Sequence, residues 1–239
     1  MSTFHDIRQK VRKVGFLPLY VLTFLLLLTG CSDGKYEVRD GTVYYSYWTF
    51  SYGQRYDELP EVDAASFVSV KDWLGRDGRH VYFKEKLVEG ADPATVKAKK
   101  YPLFRDARDY YFKNGALHVA DIETFEVLEM CDDISLWAKD SKRVYFDSLH
   151  VEGANPATFQ VVDTFEGKDD THVFYMEDIL EGADPDTYEV LGIYSKDKSH
   201  VWYCGKLMEN ADAATFHLDK EGMGVDKYGS YMNDERIEN

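Results

Sequence analysis

The chain has 239 residues, 44% of them hydrophobic and 15% aromatic, which is enough apolar surface for one domain or one continuous repeat array and excludes a disordered chain. Its formal charge is −15, from 28 basic and 43 acidic residues. A surface of that sign repels nucleic acid and excludes that class of partner, while it favours basic ones.

The N-terminal 30 residues predict an export segment. Lys10 to Lys13 form a basic flank, and Phe16 to Leu28 follow as an apolar run interrupted only by Pro18, Tyr20 and Thr23. A run of about 13 to 15 residues is short for a bilayer span, which needs roughly 20, and suits a signal-peptide core. It ends in Leu28-Thr29-Gly30-Cys31. This tetrad resembles the bacterial lipobox, which implies cleavage between Gly30 and Cys31 and acylation of Cys31, with the membrane held through that N-terminal lipid. Two or three acyl chains anchor a protein stably where one is marginal. Ser32, directly after the cysteine, resembles the signal for transfer to the outer membrane of a Gram-negative cell. The domain boundaries expected are a signal peptide at 1–30, a lipid-anchored linker at 31–39 and a repeat domain at 40–239. Without residues 1–30 the chain keeps 24 basic and 42 acidic residues, a net of −18. Beyond the anchor the cysteines are Cys131 and Cys204, whose spacing makes neither a disulfide scaffold nor a CxxC motif.

From residue 62 onward the chain repeats itself. One motif reads DGRHVYF from Asp77, DARDYYF from Asp106, DSKRVYF from Asp140, DDTHVFY from Asp169, DKSHVWY from Asp197 and DKYGSYM from Asp226. A second keeps step with it: VDAASF from Val62, ADPATV from Ala91, ADIETF from Ala120, ANPATF from Ala154, ADPDTY from Ala183 and ADAATF from Ala211. Two motifs in register at a period of about 29 residues indicate a repeat architecture. Asp40 (DGTVYY) reads as a degenerate first copy. The one wide spacing, between Asp106 and Asp140, places its extra residues around Glu129 to Ile134.

Each unit follows from local chemistry. The Asp and the short polar residues after it suit a tight turn in which the carboxylate caps backbone amides. Branched and aromatic residues on both sides of that turn predict a hairpin. The ADPxTF stretch predicts a loop entering one short helical turn, with Asp at the cap and Pro at the first position. The fold class expected is therefore mainly β: tandem hairpins, each with a short helical turn, stacked as an open solenoid-like array or curled into one antiparallel sheet. A closed propeller is the alternative, but blades commonly need about 40 residues.

The aspartate, the polar turn, the aromatic pair, the glycine and the ADPxTF step together resemble the DKNYY family, most closely at Asp197 to Tyr203 and Asp140 to Phe146, over about residues 62 to 232. The resemblance implies exported or lipid-anchored bacterial proteins and brings no catalytic residue with it.

Candidate sites are few. His80, His172 and His200 share one phase of three repeats, where a turn position explains them without a metal, and no metal is expected. Asp132-Asp133 and Asp169-Asp170 lack the alternating ligands of a calcium loop. There is no nucleophile elbow, phosphate loop or dinucleotide fingerprint, so neither a cofactor nor an enzymatic activity is expected. Alternation along the strand after each aspartate turn points one aromatic of each pair outward, and the face expected to bind a ligand is Tyr82, Tyr111, Tyr145, Phe174 and Trp202. No polar residue reads as unique to one unit. The function expected is a noncatalytic envelope lipoprotein that holds a protein or glycan on its repeat face. An immunity protein against a secreted toxin and an enzyme whose site converges from several repeats are the alternatives.

Overall fold

The structure is a computed structural model that describes residues 34–237. Gly30, Cys31 and the expected signal peptide lie outside the described residues. The chain falls into two compact units, one ending at Glu152 and the other beginning at Gly153. Among the described residues every regular element is a strand, and no helix is long and apolar enough to cross a membrane.

The N-terminal unit opens with a three-stranded sheet: β1 (Lys35–Arg39), β2 (Thr42–Thr49) and β3 (Gly53–Leu59), antiparallel and in chain order. The stretch expected as a linker thus contributes a strand, because Lys35 to Arg39 pair with Ser46 to Thr42. Asp40 lacks the burial of the aspartates in the later copies. With Gly41 it forms the two-residue turn between β1 and β2, both residues at positive φ, and it is exposed.

Three four-stranded antiparallel meanders follow in this unit, beginning with β4 (Val68–Lys71), β5 (Leu74–Arg76), β6 (Val81–Phe83) and β7 (Lys86–Val88), then sheets at 97–116 and 126–150. The C-terminal unit holds three more, at 160–179, 189–207 and 217–236. The architecture is all-β and tandem. Each sheet is open, and none closes into a barrel.

The unit is fuller than the hairpin read from the sequence. Tyr188 to Tyr194, the aromatic and branched run before Asp197, is not one strand of a hairpin but is folded by Gly192 at φ 68° into two, Glu189–Leu191 and the start of Tyr194–Lys196. After Tyr203, Cys204 and Gly205, both at positive φ, return the chain as a short fourth strand, Lys206–Leu207. The ADPxTF stretch makes one hydrogen-bonded turn and no helix: the amides of Val96, Phe159 and Phe216 donate to the carbonyls of Asp92, Asn155 and Asp212. The extra residues between Asp106 and Asp140 lengthen a hairpin, Glu126–Cys131 with Ser135–Lys139, about a turn at 132–134.

A four-stranded sheet of such short strands buries too little by itself, and the cores are shared between consecutive sheets. Val81, Phe83 and Val88 pack with Phe104 and Tyr111 of the next sheet, and Leu103, Tyr110 and Phe112 with Leu136, Ala138 and Tyr145 of the one after. In the C-terminal unit, Val173 and Leu180 pack with Tyr188 and Trp202, and Tyr194, Val201 and Met208 with Phe216 and Tyr231.

Candidate functional site

The repeated aspartates come first, because they set what is left over for function. Asp77, Asp106, Asp140, Asp169, Asp197 and Asp226 are all buried. In the first five, one carboxylate oxygen accepts the amides two and three residues on, as from Lys142 at 2.7 Å and Arg143 at 2.8 Å to Asp140. In all six the other oxygen accepts an amide from the second motif: Asp63, Asp92, Asp121, Asn155, Asp184 and Asp212. A reciprocal bond closes the junction, in which the Ser or Thr of the second motif accepts from the amide just after the aspartate, as Thr95 does from Ala107. The two sequence motifs keep register because one hydrogen-bonds the other. Burial by itself would push these carboxyls up, but the amides, joined by a tyrosine hydroxyl at Asp77, Asp106, Asp140 and Asp226, outweigh it and hold all six below the usual carboxylate range.

This junction also overturns the expected aromatic face. Tyr82, Tyr111, Tyr145, Phe174 and Trp202 are all 5% exposed or less. The three tyrosines turn inward because their hydroxyls donate to the buried aspartate five residues earlier, at 3.1, 3.0 and 2.7 Å. Phe174 and Trp202 keep the same inward place without the bond, and His172 and His200 lie edgewise or tilted against their rings. His80, His172 and His200 sit each beside its own aspartate, with Nδ1 3.9, 3.8 and 3.5 Å from the carboxylates of Asp77, Asp169 and Asp197. Among the described residues no group of three or more His, Cys, Asp or Glu is placed to hold a metal ion. Cys131 and Cys204 are both free thiols.

One core position does break the repeat. Three residues before the motif aspartate stand Leu74, Leu103, Trp137, Tyr194 and Met223, but in the fourth copy Glu166, which is 6% exposed. It pairs across the strands with Tyr175 and meets Tyr188 and Ser195 of the following sheet, where other copies carry Phe or Val and Gly, Ala or Phe. Burial pushes the Glu166 carboxyl up to about 7, opposed by the Tyr188 and Ser195 hydroxyls and reinforced by Asp163. The hydroxyls are near enough to act on the charge, yet Glu166 Oε2, Tyr188 Oη and Ser195 Oγ make no hydrogen bond of proper geometry. Cys204 adjoins the group through Tyr175, and burial pushes its thiol up as well. Comparing the copies position by position would have revealed this island, which the reading of no unit-specific polar residue missed.

The island does not open into a cleft. The groove in this unit, about 560 Å³, runs between the turn of the second motif and the next repeat, lined by Thr158, Phe159, Lys168, Asp169, Asp170 and Asp186 among others. Lys168 spans it, its Nζ 2.7 Å from the Pro185 carbonyl. Apart from Lys168 its charged groups are the carboxylates of Asp169, Asp170 and Asp186.

A second feature escaped the sequence reading. Trp48, Phe50 and Tyr52, at the tip of the β2–β3 hairpin, are 53%, 78% and 77% exposed. Trp48 meets Phe50 edge to face at 6.4 Å, and the Arg55 guanidinium lies 5.8 Å over the Tyr52 ring. The signal was present as an acid-free stretch, 41–56, in a strongly acidic chain.

Set against models of known families, the chain matches the one described as the DKNYY family over residues 19–115 and again over 104–236. No curated protein and no solved structure gives a match.

Proposed function

The chain belongs to the DKNYY family, and from that premise we propose that it is a noncatalytic binding scaffold of the bacterial envelope, tethered through acyl chains on Cys31 and holding a basic protein partner on its acidic repeat surface. The observation that carries this reading is the use of the repeated polar residues. In each repeat the motif aspartate and the Ser or Thr are taken up by backbone amides of the junction, and where a tyrosine follows the aspartate, as Tyr145 follows Asp140, its hydroxyl bonds the carboxylate. The exposed residues vary between copies, as expected of a scaffold whose partner reads its outer residues.

Charge gives the partner its sign. A net of −18 over residues 31–239 attracts a basic surface and speeds its encounter. The groove beside Asp170 and Asp186 is the concave part of that surface. A glycan would call for exposed aromatic platforms along the repeats, and the five aromatics expected there are buried.

The test is metabolic labelling with an alkyne fatty acid, followed by crosslinking in intact cells, with Cys31→Ser as the control. The reading expects label that is lost in the variant, and one stoichiometric protein partner whose binding weakens with rising salt. Label that persists in Cys31→Ser overturns the anchor. A partner bound equally at low and high salt overturns the electrostatic reading.

A further inference from the structure

We propose that the tip of the β2–β3 hairpin, carrying Trp48, Phe50 and Tyr52, is a second membrane contact that inserts into the interfacial layer of the bilayer to which Cys31 is acylated. This rests on the reading that Cys31 is the lipid attachment site.

The register of the first sheet makes the case. β1 is antiparallel to β2, and its first residue, Lys35, pairs with Ser46. β1 therefore runs away from the hairpin tip, and the chain enters the sheet at the tip's own end. Cys31 lies four residues before Lys35, and Phe50 lies four residues beyond Ser46. Four residues reach at most about 14 Å, so a lipid on Cys31 brings the bilayer surface to the tip.

The tip is built for that layer. Thr49 and Gly53 pair across a three-residue loop, Phe50-Ser51-Tyr52, closed by Gly53 at φ 66° and by the Tyr52 amide donating to Thr49 Oγ1 at 3.2 Å. The loop is thus held with two rings exposed and Trp48 beside them. Trp and Tyr, each an apolar ring with a polar handle, favour the membrane–water boundary. The hairpin that carries the tip is long, with β2 of eight residues and β3 of seven, where the strands of the next sheet, β4 to β7, have three or four.

Charge fits the same occupant. The mature chain as a whole is repelled by anionic headgroups, but residues 41–56 contain no acid, and Arg55 stands beside the tip over the Tyr52 ring. Its stem can lie along apolar surface while the charged head reaches the phosphates. Elsewhere the exposed large apolar residues are scattered, as Leu87, Val127, Ile193 and Leu207 are.

The experiment uses the full acylated protein in phosphatidylethanolamine–phosphatidylglycerol vesicles, with and without bromine on the acyl chains. Of the four tryptophans, Trp137 and Trp202 are buried and Trp73 is half-buried, so Trp48 is the reporter at the tip. The expected result is a loss of tryptophan emission in brominated vesicles. That loss disappears in Trp48→Phe and is reduced in Phe50→Ser/Tyr52→Ser, which keeps the reporter. Mass measurement of the N-terminal peptide reports the acyl chains separately. Acylated protein with unquenched Trp48, or quenching that survives Trp48→Phe, overturns the hairpin contact and leaves the anchor standing. A peptide without acyl chains overturns the anchor, and this inference with it.

Discussion

Tyr145 donates a 2.7 Å hydrogen bond to Asp140, and both side chains are buried in the core that their sheet shares with the one before it. The same Asp140 carboxylate accepts the amides of Ala120, Asp121, Lys142 and Arg143. Loss of the hydroxyl removes one charge-assisted bond, whereas loss of the carboxylate strands several buried amides. Tyr145→Phe should cost about 1.5–3 kcal/mol and Asp140→Ala more than that, beyond about 4 kcal/mol. Phe174 and Trp202 occupy the tyrosine position in two other copies, which is why the hydroxyl is the lesser loss. Urea denaturation of the two variants checks the order. Equal midpoints would mean that the carboxylate is not the centre of the junction.

Gly167 and Phe159 make a size-matched pair. A Cβ added at Gly167 would stand 2.3 Å from Phe159 Cζ, and the same closeness, 2.6 Å, recurs at Gly75 with Phe67 and at Gly224 with Phe216. Where the second motif ends in Val96, the facing position holds Phe104 instead. The pair shares one volume, divided either way. Gly167→Ala should therefore destabilise by about 1–3 kcal/mol. Phe159→Val should recover part of that loss when combined with it, although it costs stability alone. A double-mutant cycle with no coupling would refute the pairing.

These two relationships show what the sequence made legible and what it hid. The paired motifs disclosed the repeat, its period and the β class, because turn formers such as Asp197 and branched or aromatic runs such as Val201-Trp202-Tyr203 carry their structure locally. The inward turn of Tyr82, Tyr111 and Tyr145 was hidden, because alternation assigns two faces without saying which is buried. The deciding partner is an aspartate in the preceding turn. The extra strands were hidden for a similar reason: residues such as Lys84, Lys113 and Cys204 take positive φ at the turn into the last strand of a sheet, and none of them is a turn former by type. Glu166 and the hairpin tip were legible in principle, the first as an exception among aligned copies and the second as a gap in the acid distribution.

Cys204 should react slowly although it is not fully buried. It sits at φ 46° between Tyr175 and Tyr203, and burial pushes its thiol up, opposed by contact with the Tyr175 hydroxyl and reinforced by the Glu166 charge. Only the thiolate is the nucleophile. Maleimide labelling at pH 8, resolved by peptide mass, should modify Cys204 more slowly in the folded protein than in urea. Glu166→Gln should speed the folded reaction, because it removes the neighbouring negative charge. Equal rates folded and unfolded would contradict the buried thiol.

Glu166 makes stability depend on pH in the sense opposite to the aspartates. The six motif carboxyls are held low, so their contribution is present above the unfolded value near 4 and is lost as pH falls through the folded one. Glu166 is raised, from 4.5 to about 7, so the folded state binds its proton more tightly than the unfolded state does. Its contribution is present in full below about 4.5 and is lost as pH climbs through 7. The groups that face it bring no cation to offset the charge: Asp163 on its own hairpin, Tyr175 across the strands, and Tyr188, Ser195 and Cys204 from the next sheet. Between pH 4.5 and 8 the wild type should lose as much as about 3 kcal/mol that Glu166→Gln does not lose. Glu166→Leu, which installs the residue found at the equivalent Leu74 and Leu103, should be the more stable protein at pH 8 and should lose that advantage at pH 4.5. Urea midpoints across this range for the three proteins decide it. Parallel curves would show that Glu166 stays ionised in the fold, and that the charge is met by solvent rather than held in the core.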